Sequence, residues 1–401
     1  MVAGYTVRSA ETPAELDAFF RLKVETFMPG APPDAAVRWR AHTERSSDYI
    51  AGQIRCVFDD TRLVGGYILT ERTLRIGSRT VPTGCFGSLA THPGWRGRGI
   101  ARALMHDAAA RATERRLGLV LLDGIAGFYH RFGYTDVLDL TRHTVSRAQV
   151  LALSPSGYLV RPAAGADAPA LLELYQRHYG SFTGSFVRDI AWQRHDLAAR
   201  LPDNPPLIAL DAHGRARGYL ILPWYAPRTH AVEVAADDWP ATLGLLQRHA
   251  RLAEEATELD WPLPPDSPAF YALADHLYVT SRSHHHPDEG WMARPAHLPT
   301  LFDCIKSLLE TRLRRAQTPA GALRLRVGTE GPSFGIGPGC DAPETPTIML
   351  SSAALAQLLF GFRPAHWIAG QPCVEVDPAL VPALDALFPI GHVWVPGSDA
   401  F

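Results

Sequence analysis

Residues Gly87 to Met105 read G-S-L-A-T-H-P-G-W-R-G-R-G-I-A-R-A-L-M, a stretch whose residue types and spacing suit anion binding. A short apolar segment, Leu89 and Ala90, passes through Thr91, His92 and Pro93 into Arg96-Gly97-Arg98-Gly99. A helical pattern follows, with Ile100, Leu104 and Ala108 on one stripe and Ala101, Met105 and Ala112 beside it. A strand thus hands over to a helix through glycines that let backbone N–H groups crowd around a ligand. The first helical turn has unpaired donors and the positive end of the helix dipole, which together suit a pyrophosphate. Arg96 and Arg98 add charge on either side. Two commoner phosphate loops do not fit. One needs Lys followed by Ser or Thr where Ile100-Ala101 stands, and the dinucleotide fingerprint needs a third glycine where Arg102 stands.

The elements that must position this loop are legible on either side of it. Gly118-Leu119-Val120-Leu121-Leu122-Asp123 is a near-continuous apolar run, as expected of a strand buried on both faces. It is followed by Gly127-Phe128-Tyr129-His130-Arg131-Phe132-Gly133-Tyr134. Arg96, Gly99 and Ala101 match the R-x-x-G-x-A loop of the Gcn5-related N-acetyltransferases (GNAT), and the second block resembles the family's later F-Y-x-R-x-G-Y segment, in the same order and at a similar distance. The resemblance implies an acetyltransferase domain over residues 1–150 that holds the pyrophosphate of acetyl-coenzyme A (acetyl-CoA) at Arg96, Gly97, Arg98, Gly99, Ile100 and Ala101. It also implies that the backbone of Leu89, Ala90 and Thr91 binds the pantetheine as a strand mimic.

A chain of 401 residues is too long for one small core and points to two or three domains. Its 46% apolar and 20% charged residues are ordinary for a globular protein. The net charge of −2 excludes a general attraction to nucleic acid or to an anionic membrane. Lys23 and Lys306 are the only lysines, so arginine carries nearly all the positive charge. The five cysteines (Cys56, Cys85, Cys304, Cys340, Cys373) are odd in number and scattered, as expected of reduced thiols. With neither a basic-then-apolar leader nor a run of about 18 apolar residues, the expectation is a soluble cytoplasmic protein.

An internal repeat sets the architecture. Tyr5-Thr6-Val7-Arg8-Ser9-Ala10 is echoed by Tyr158-Leu159-Val160-Arg161-Pro162-Ala163, and each hexamer precedes a helical pattern. The hairpin pattern from Val57 to Tyr67 has a partner from Ala209 to Tyr219. In the second copy, residues 151–290, the apolar strand Ala231-Val232-Glu233-Val234 runs into Asp237-Asp238-Trp239-Pro240 and a helix from about Ala241 to Glu255. Two carboxylates thus stand where a phosphate would have to sit. The second lobe is read as a scaffold that has lost its cofactor site. From Trp291 a third region begins, with a helix at Leu298–Arg315, strands at Leu323–Val327 and Thr347–Leu350, and helices at Ser352–Phe360 and Pro378–Phe388. Ile348 to Gly361 resembles the closing part of sterol-carrier-protein-like domains.

The expected fold class is therefore α/β (α+β), with tandem GNAT lobes, the second degenerate, and a sterol-carrier-like domain over residues 291–401. That arrangement resembles the enhanced-intracellular-survival (Eis) acetyltransferases. The resemblance implies a homo-hexamer, and a C-terminus that threads back to the first lobe. There the α-carboxylate of Phe401 would be general base and Tyr129 general acid. An unperturbed α-carboxylate lies near pKa 3.5, so burial or a water relay must assist it, whereas a phenol near 10 suits protonation of a thiolate. Bland readings stand beside these. Tyr129 has an alternative as a core aromatic with a hydrogen-bonded hydroxyl, and Phe401 as a frayed terminus, although the strand-like alternation from Gly391 to Val395 favours a docked tail. Trp39 is either a wall of the acceptor pocket or an apolar anchor. His284-His285-His286, with Asp288 and Glu289, lacks any ligand spacing, so no metal is expected. The aminoglycoside-modifying members carry a carboxylate beside the terminal residue, where this chain has Ala400, with Asp399 one step back. The reading is acetyl transfer to an amine of a small molecule or peptide, with aminoglycosides and polyamines both open. The alternative is an acyl-CoA or lipid-binding protein without turnover.

Overall fold

The computed structural model describes residues 5–224, 228–284, 290–316 and 321–400. The chain opens with β1 (Val7–Ser9), α1 (Pro13–Phe27) and α2 (Ala35–Arg45), then β2 (Ile54–Asp59), β3 (Arg62–Ile76) and β4 (Arg79–Thr91). Helix α3 (Ile100–Glu114), β5 (Leu119–Gly124) and β6 (Thr135–Asp136) follow. Strand β7 (Leu140–Ser146) and α4 (Arg147–Ala152) lead to β8 (Leu159–Pro162), α5 (Ala168–Tyr179), α6 (Ile190–Arg200), β9 (Leu207–Leu210), β10 (Ala216–Ile221) and β11 (Glu233–Ala236). Then come α7 (Trp239–Leu252), β12 (Glu258–Trp261), α8 (Pro268–His276) and β13 (Val279–His284). The last part holds β14 (Gly290–Pro295), α9 (Leu298–Arg315), β15 (Leu323–Val327), β16 (Ser333–Ile336), β17 (Thr347–Leu350), α10 (Ser352–Leu359), α11 (Ala365–Ile368) and α12 (Val381–Leu387).

The repeat seen in the sequence is a repeat of topology. One sheet runs β1-β2-β3-β4-β5-β14-β6, and the second lobe repeats its first four strands as β8-β9-β10-β11. The parallel continues further on. β5 is followed across the sheet by β14 and β6, and β12 by β7 and β13, so in each case the middle strand comes from a distant stretch of sequence. Contacts accordingly divide the chain into two compact units. One is 1–138 with 286–391 and the other is 139–285 with 392–400. Domain ranges read along the chain do not show this, because β14 completes the first sheet and the tail joins the second unit.

Local chemistry accounts for the first lobe. Helix α1 starts in a capping box: the Glu15 N–H donates to Thr12 Oγ1 and the Thr12 N–H to the Glu15 carboxylate, with Pro13 at the first helical position. Its buried face, Leu16, Phe19, Phe20 and Leu22, packs on Ile54, Cys56, Leu63, Ile68 and Ala90 of the sheet. Helix α3 buries Ile100, Leu104, Met105, Ala108 and Ala112 against Val57, Val64, Tyr67, Leu69 and Phe86. Adjacent strand residues thus point to opposite sides, and the two helices cover opposite faces.

In the last region, α9 buries Leu301, Ile305, Leu309 and Leu313, and Phe302 stacks on Phe334 of β16 with ring centroids 3.9 Å apart. All five cysteines are free thiols.

The second lobe holds a buried histidine that makes its stability sensitive to acid. His249 of α7 is fully buried, with Nδ1 accepting from Trp261 Nε1–H at 3.0 Å and Nε2–H donating to the Arg228 carbonyl at 2.7 Å. Burial pushes its pKa down from 6.5 to about 4. The folded value lies below the unfolded one, so the stabilising effect is full above pH 6.5 and is lost as pH falls from 6.5 through 4. At 1.36 kcal/mol per unit the loss approaches roughly 3 kcal/mol. The expected result is a urea midpoint that drops between pH 7 and pH 4 and drops less in His249→Gln.

Candidate active site

Strand β4 is where the first sheet opens. It pairs with β3 along its length, but with β5 only at Thr83, Gly84 and Cys85. From Phe86 to Thr91 the side of β4 that faced β5 has no strand partner among the described residues. Here β4 also carries a bulge: Gly66 pairs with Ala90 and Ile68 with Gly87, so Tyr67 stands opposite both Ser88 and Leu89. Ser88 takes φ +56, in the left-handed region. The bulge bends the strand away, and an extended ligand can add to the exposed edge by main-chain hydrogen bonds.

The strand ends beside the glycine loop. His92 Nδ1 accepts from the Gly94 N–H at 3.2 Å, holding a short 3-10 turn at Pro93–Trp95. Gly97 and Gly99 have φ +78 and +84, conformations that L side chains adopt only at a cost. Gly99 is the N-cap of α3 and no side chain caps the helix, so the N–H groups of its first turn are free to bind a ligand. A cavity of about 560 Å³ lies over this turn, lined by Thr91, Arg96, Gly97, Gly99, Ile100 and Ala101, and also by Trp95, Arg102, His106, Phe128, Arg131 and Phe132. No carboxylate among the described residues lines it. Arg96, Arg98 and Arg102 form no ion pair among the described residues. Arg62 and Arg98 lie over the Trp95 ring at 4.5 and 5.7 Å.

The second lobe shows the contrast. At the start of α7, Asp238 Oδ1 accepts from the Ala241 N–H at 2.9 Å, and Asp237 pairs with Arg177 at 2.6 Å and His178 at 2.8 Å. The helix terminus is capped by its own chain and its surrounding cations are matched, as its two carboxylates suggest.

Tyr129 sits in a 3-10 turn, Tyr129–Phe132, and is 8% exposed. Phe86, Phe128 and Tyr134 meet its ring edge-on at 6.4, 4.9 and 6.1 Å. Burial, then the Asp123 carboxylate, push its pKa up to about 12. Its hydroxyl makes no hydrogen bond among the described residues, unlike Tyr67, whose hydroxyl donates to Asp107 at 2.6 Å. Among the cofactor candidates, Leu89 packs on the α3-side core and Ala90 is buried toward α1, while Leu89, Ala90, Arg98 and Tyr129 do not line the cavity itself. Trp39, on α2, is half-buried against the α1 core, with the Lys23 ammonium 4.6 Å from its ring centre. Burial lowers Lys23 to about 8. Phe401, His285, His286, Asp288 and Glu289 lie outside the described residues. Among those described, no group of His, Cys, Asp or Glu is arranged to hold a metal.

Sequence reasoning missed the far wall of the cavity: Arg102, His106, Phe128, Arg131 and Phe132. The available signal was spacing. Arg102 and His106 are four apart on the helix that the loop opens, as are Phe128 and Phe132 on the later turn.

Comparison with known proteins follows this geometry. Residues 6–137 match the family model described as "Acetyltransferase (GNAT) domain". The match spans the first lobe. No curated protein matches the chain by sequence. Several solved structures match its fold over nearly the whole length. A conserved protein of unknown function from Enterococcus faecalis V583 has a TM-score of 0.73 at 16% identity, covering 99% of this chain and 100% of its own. A GCN5-related N-acetyltransferase from Kribbella flavida has 0.71 at 19%, covering 99% of each. Eis1 from Mycobacterium abscessus has 0.65 at 21%, covering 99% of this chain and 100% of its own. At these identities the likeness is one of fold, and it covers more of the chain than the family model does.

Proposed function

We propose that the protein is an acetyl-CoA-dependent N-acetyltransferase of the Eis type, acting on an amine of a small molecule or peptide. One observation carries this reading: a strand whose edge has no strand partner among the described residues leads into an uncapped helix N-terminus beside arginines that form no ion pair among them. Acetyl-CoA supplies a thioester, an acetyl carbon open to an amine. The chain's part is to orient and to move protons. The β4 edge at Leu89, Ala90 and Thr91 aligns the extended arm, and the amides from Gly97 to Ala101 with Arg96 and Arg98 hold the diphosphate.

Tyr129 keeps its proton throughout the physiological range and is the general acid in this reading. Its hydroxyl, with no hydrogen-bond partner among the described residues, is the group that would face a leaving sulfur in this reading. Against a thiol near 8.5 in water, donation is uphill by about 3 to 4 pKa units, or roughly 5 kcal/mol, and the same apolar surroundings that raise the phenol also raise the thiol. The general base is the α-carboxylate of Phe401, carried over from the family resemblance. Asp399 is committed to an ion pair with Arg188, so its carboxylate does not stand in for the missing acidic neighbour. This weakens the case for a polycationic acceptor, and aminoglycosides, polyamines and peptide amines are compared directly in the test. The resemblance further supports a sterol-carrier-like third region and a homo-hexamer in the cytoplasm, and no described helix is long and apolar enough to cross a membrane.

The test is release of free thiol from acetyl-CoA with a panel of amines, together with calorimetry for coenzyme A. Amine-dependent release with intersecting initial-rate patterns is expected. Coenzyme A binding without release for any amine would replace this reading with that of a binding protein.

A further inference from the structure

Three side chains of the second unit stand in a line of hydrogen bonds that the proposed acetyl transfer does not use. His392 Nδ1 lies 2.9 Å from the Asp266 carboxylate, and its Nε2 lies 3.1 Å from Ser181 Oγ. The partners fix the tautomer. A carboxylate only accepts, so Nδ1 carries the proton, and the neutral Nε2 accepts from the Ser181 O–H. Hydroxyl, imidazole and carboxylate thus meet in the order that lets a histidine take a serine proton while the carboxylate stabilises the resulting cation.

Main chain holds each member in place. Ser181 follows Gly180 at the end of α5, and the Phe182 N–H donates to the Tyr179 carbonyl at 3.1 Å. The Thr183 N–H donates to the His392 carbonyl at 3.1 Å and the Trp394 N–H to the Thr183 carbonyl at 2.8 Å, which sets the two segments side by side. The His392 ring stacks on Phe182, centroids 4.2 Å apart, and Phe182 and Trp394 both belong to the lobe's core. Asp266 directly precedes Ser267, the N-cap of α8, whose hydroxyl accepts from the Phe270 N–H at 3.2 Å. His392 itself takes φ +54, a conformation that residues with side chains enter at a cost and that persists where the surroundings over-determine it. The strain falls on the residue whose ring joins the other two.

The side chains of His392 and Asp266 are 48% and 45% exposed, and Ser181 is exposed too. The hydroxyl therefore opens to solvent, which admits a small ester and offers no burial to a long acyl chain. The Ser181 N–H makes no hydrogen bond among the described residues, so one main-chain donor stands beside the nucleophile for an oxygen that gains charge.

We propose that Ser181 and His392, positioned by Asp266, form a second catalytic centre that hydrolyses short-chain carboxylic esters. Ser181 Oγ attacks the carbonyl carbon as its proton passes to His392 Nε2. The bond to the leaving alcohol breaks, and His392 returns the proton to that oxygen. Water then gives a proton to Nε2 and attacks the acyl-serine, releasing the carboxylic acid and restoring the serine. The proposal is independent of the acetyl-transfer reading.

The test uses the full-length protein, 4-nitrophenyl acetate as ester and a fluorophosphonate as covalent probe. Phosphonylation at Ser181 is expected, located by peptide mass spectrometry. The chain has 17 histidines, and imidazoles cleave this ester unaided, so the decisive quantity is a difference. Wild type is expected to release 4-nitrophenolate at least about 10-fold faster than Ser181→Ala. His392→Gln should be as slow, and the double variant no slower, because the two groups act as a unit. Asp266→Asn is expected to lower the maximal rate and the rate of Ser181 labelling about 10-fold each, at an unchanged half-saturating ester concentration. A carboxylate that only fastens the surface would move neither rate. Equal ester release by wild type and Ser181→Ala overturns the proposal. Labelling that spares Ser181 also overturns it, and that measurement needs no variant to fold.

Discussion

Tyr129→Phe is expected to lower kcat by about 10²- to 10³-fold while KM for acetyl-CoA and thermal stability stay unchanged. The substitution removes one oxygen from a ring packed by Phe86, Phe128 and Tyr134, and that oxygen makes no hydrogen bond among the described residues. Nothing buried is left unpaired, so a fall in turnover cannot come from unfolding. The comparison is Tyr67→Phe, which takes one hydrogen bond from the Asp107 carboxylate, leaves it to Arg55 alone, and so should cost about 1 kcal/mol of stability instead. The pH profile sharpens the test. A general acid acts while protonated, and with its pKa at about 12 Tyr129 stays so through the assay range. Wild-type kcat should therefore show no alkaline loss between pH 7 and 10 attributable to this phenol. Stopped-flow thiol release under saturating substrates measures both effects, and an unaltered kcat in Tyr129→Phe would remove the assigned acid.

Gly99→Val is expected to raise KM for acetyl-CoA by about 30- to 100-fold, with a smaller effect on kcat. At φ +84 a β-branched residue costs about 1–2 kcal/mol, and relief of that strain rotates the N-cap amides out of the concave turn. Each charge-assisted bond lost to a diphosphate is worth about 1.5–3 kcal/mol, so one lost bond accounts for the expected change. Gly97→Ala has the same kind of backbone strain, at φ +78, but nothing lies within 4 Å of its Cβ, so a milder change is expected. Titration calorimetry with coenzyme A separates the two. Tight binding to Gly99→Val would show that the diphosphate does not rest on this turn.

Residue order alone determined what depends on short-range rules. The loop from Arg96 to Ala101 and the apolar stripe from Leu298 to Arg315 are both local, because helix period and glycine conformation act within a few residues. The doubled meander was legible for the same reason: each copy carries its own turns. The carboxylates at Asp237 and Asp238 likewise marked the second helix start as one that refuses an anion.

Tertiary structure decided everything that joins distant residues. No periodicity in Gly290–Pro295 says that it pairs with both β5 and β6, because a strand's partner is chosen by which sheet edge is open when the lobes fold. The far cavity wall combines Arg102 and His106 of one helix with Phe128, Arg131 and Phe132 of a later turn, and only packing brings the two together. The freedom of the Tyr129 hydroxyl, which separates it from Tyr67, is invisible in composition. Arg188 and Asp399 are 211 positions apart, and one arginine among many shows nothing of the two carboxylates it will meet. Charge pairing in a dry interior depends on distance in space, which the linear order of a 401-residue chain does not contain.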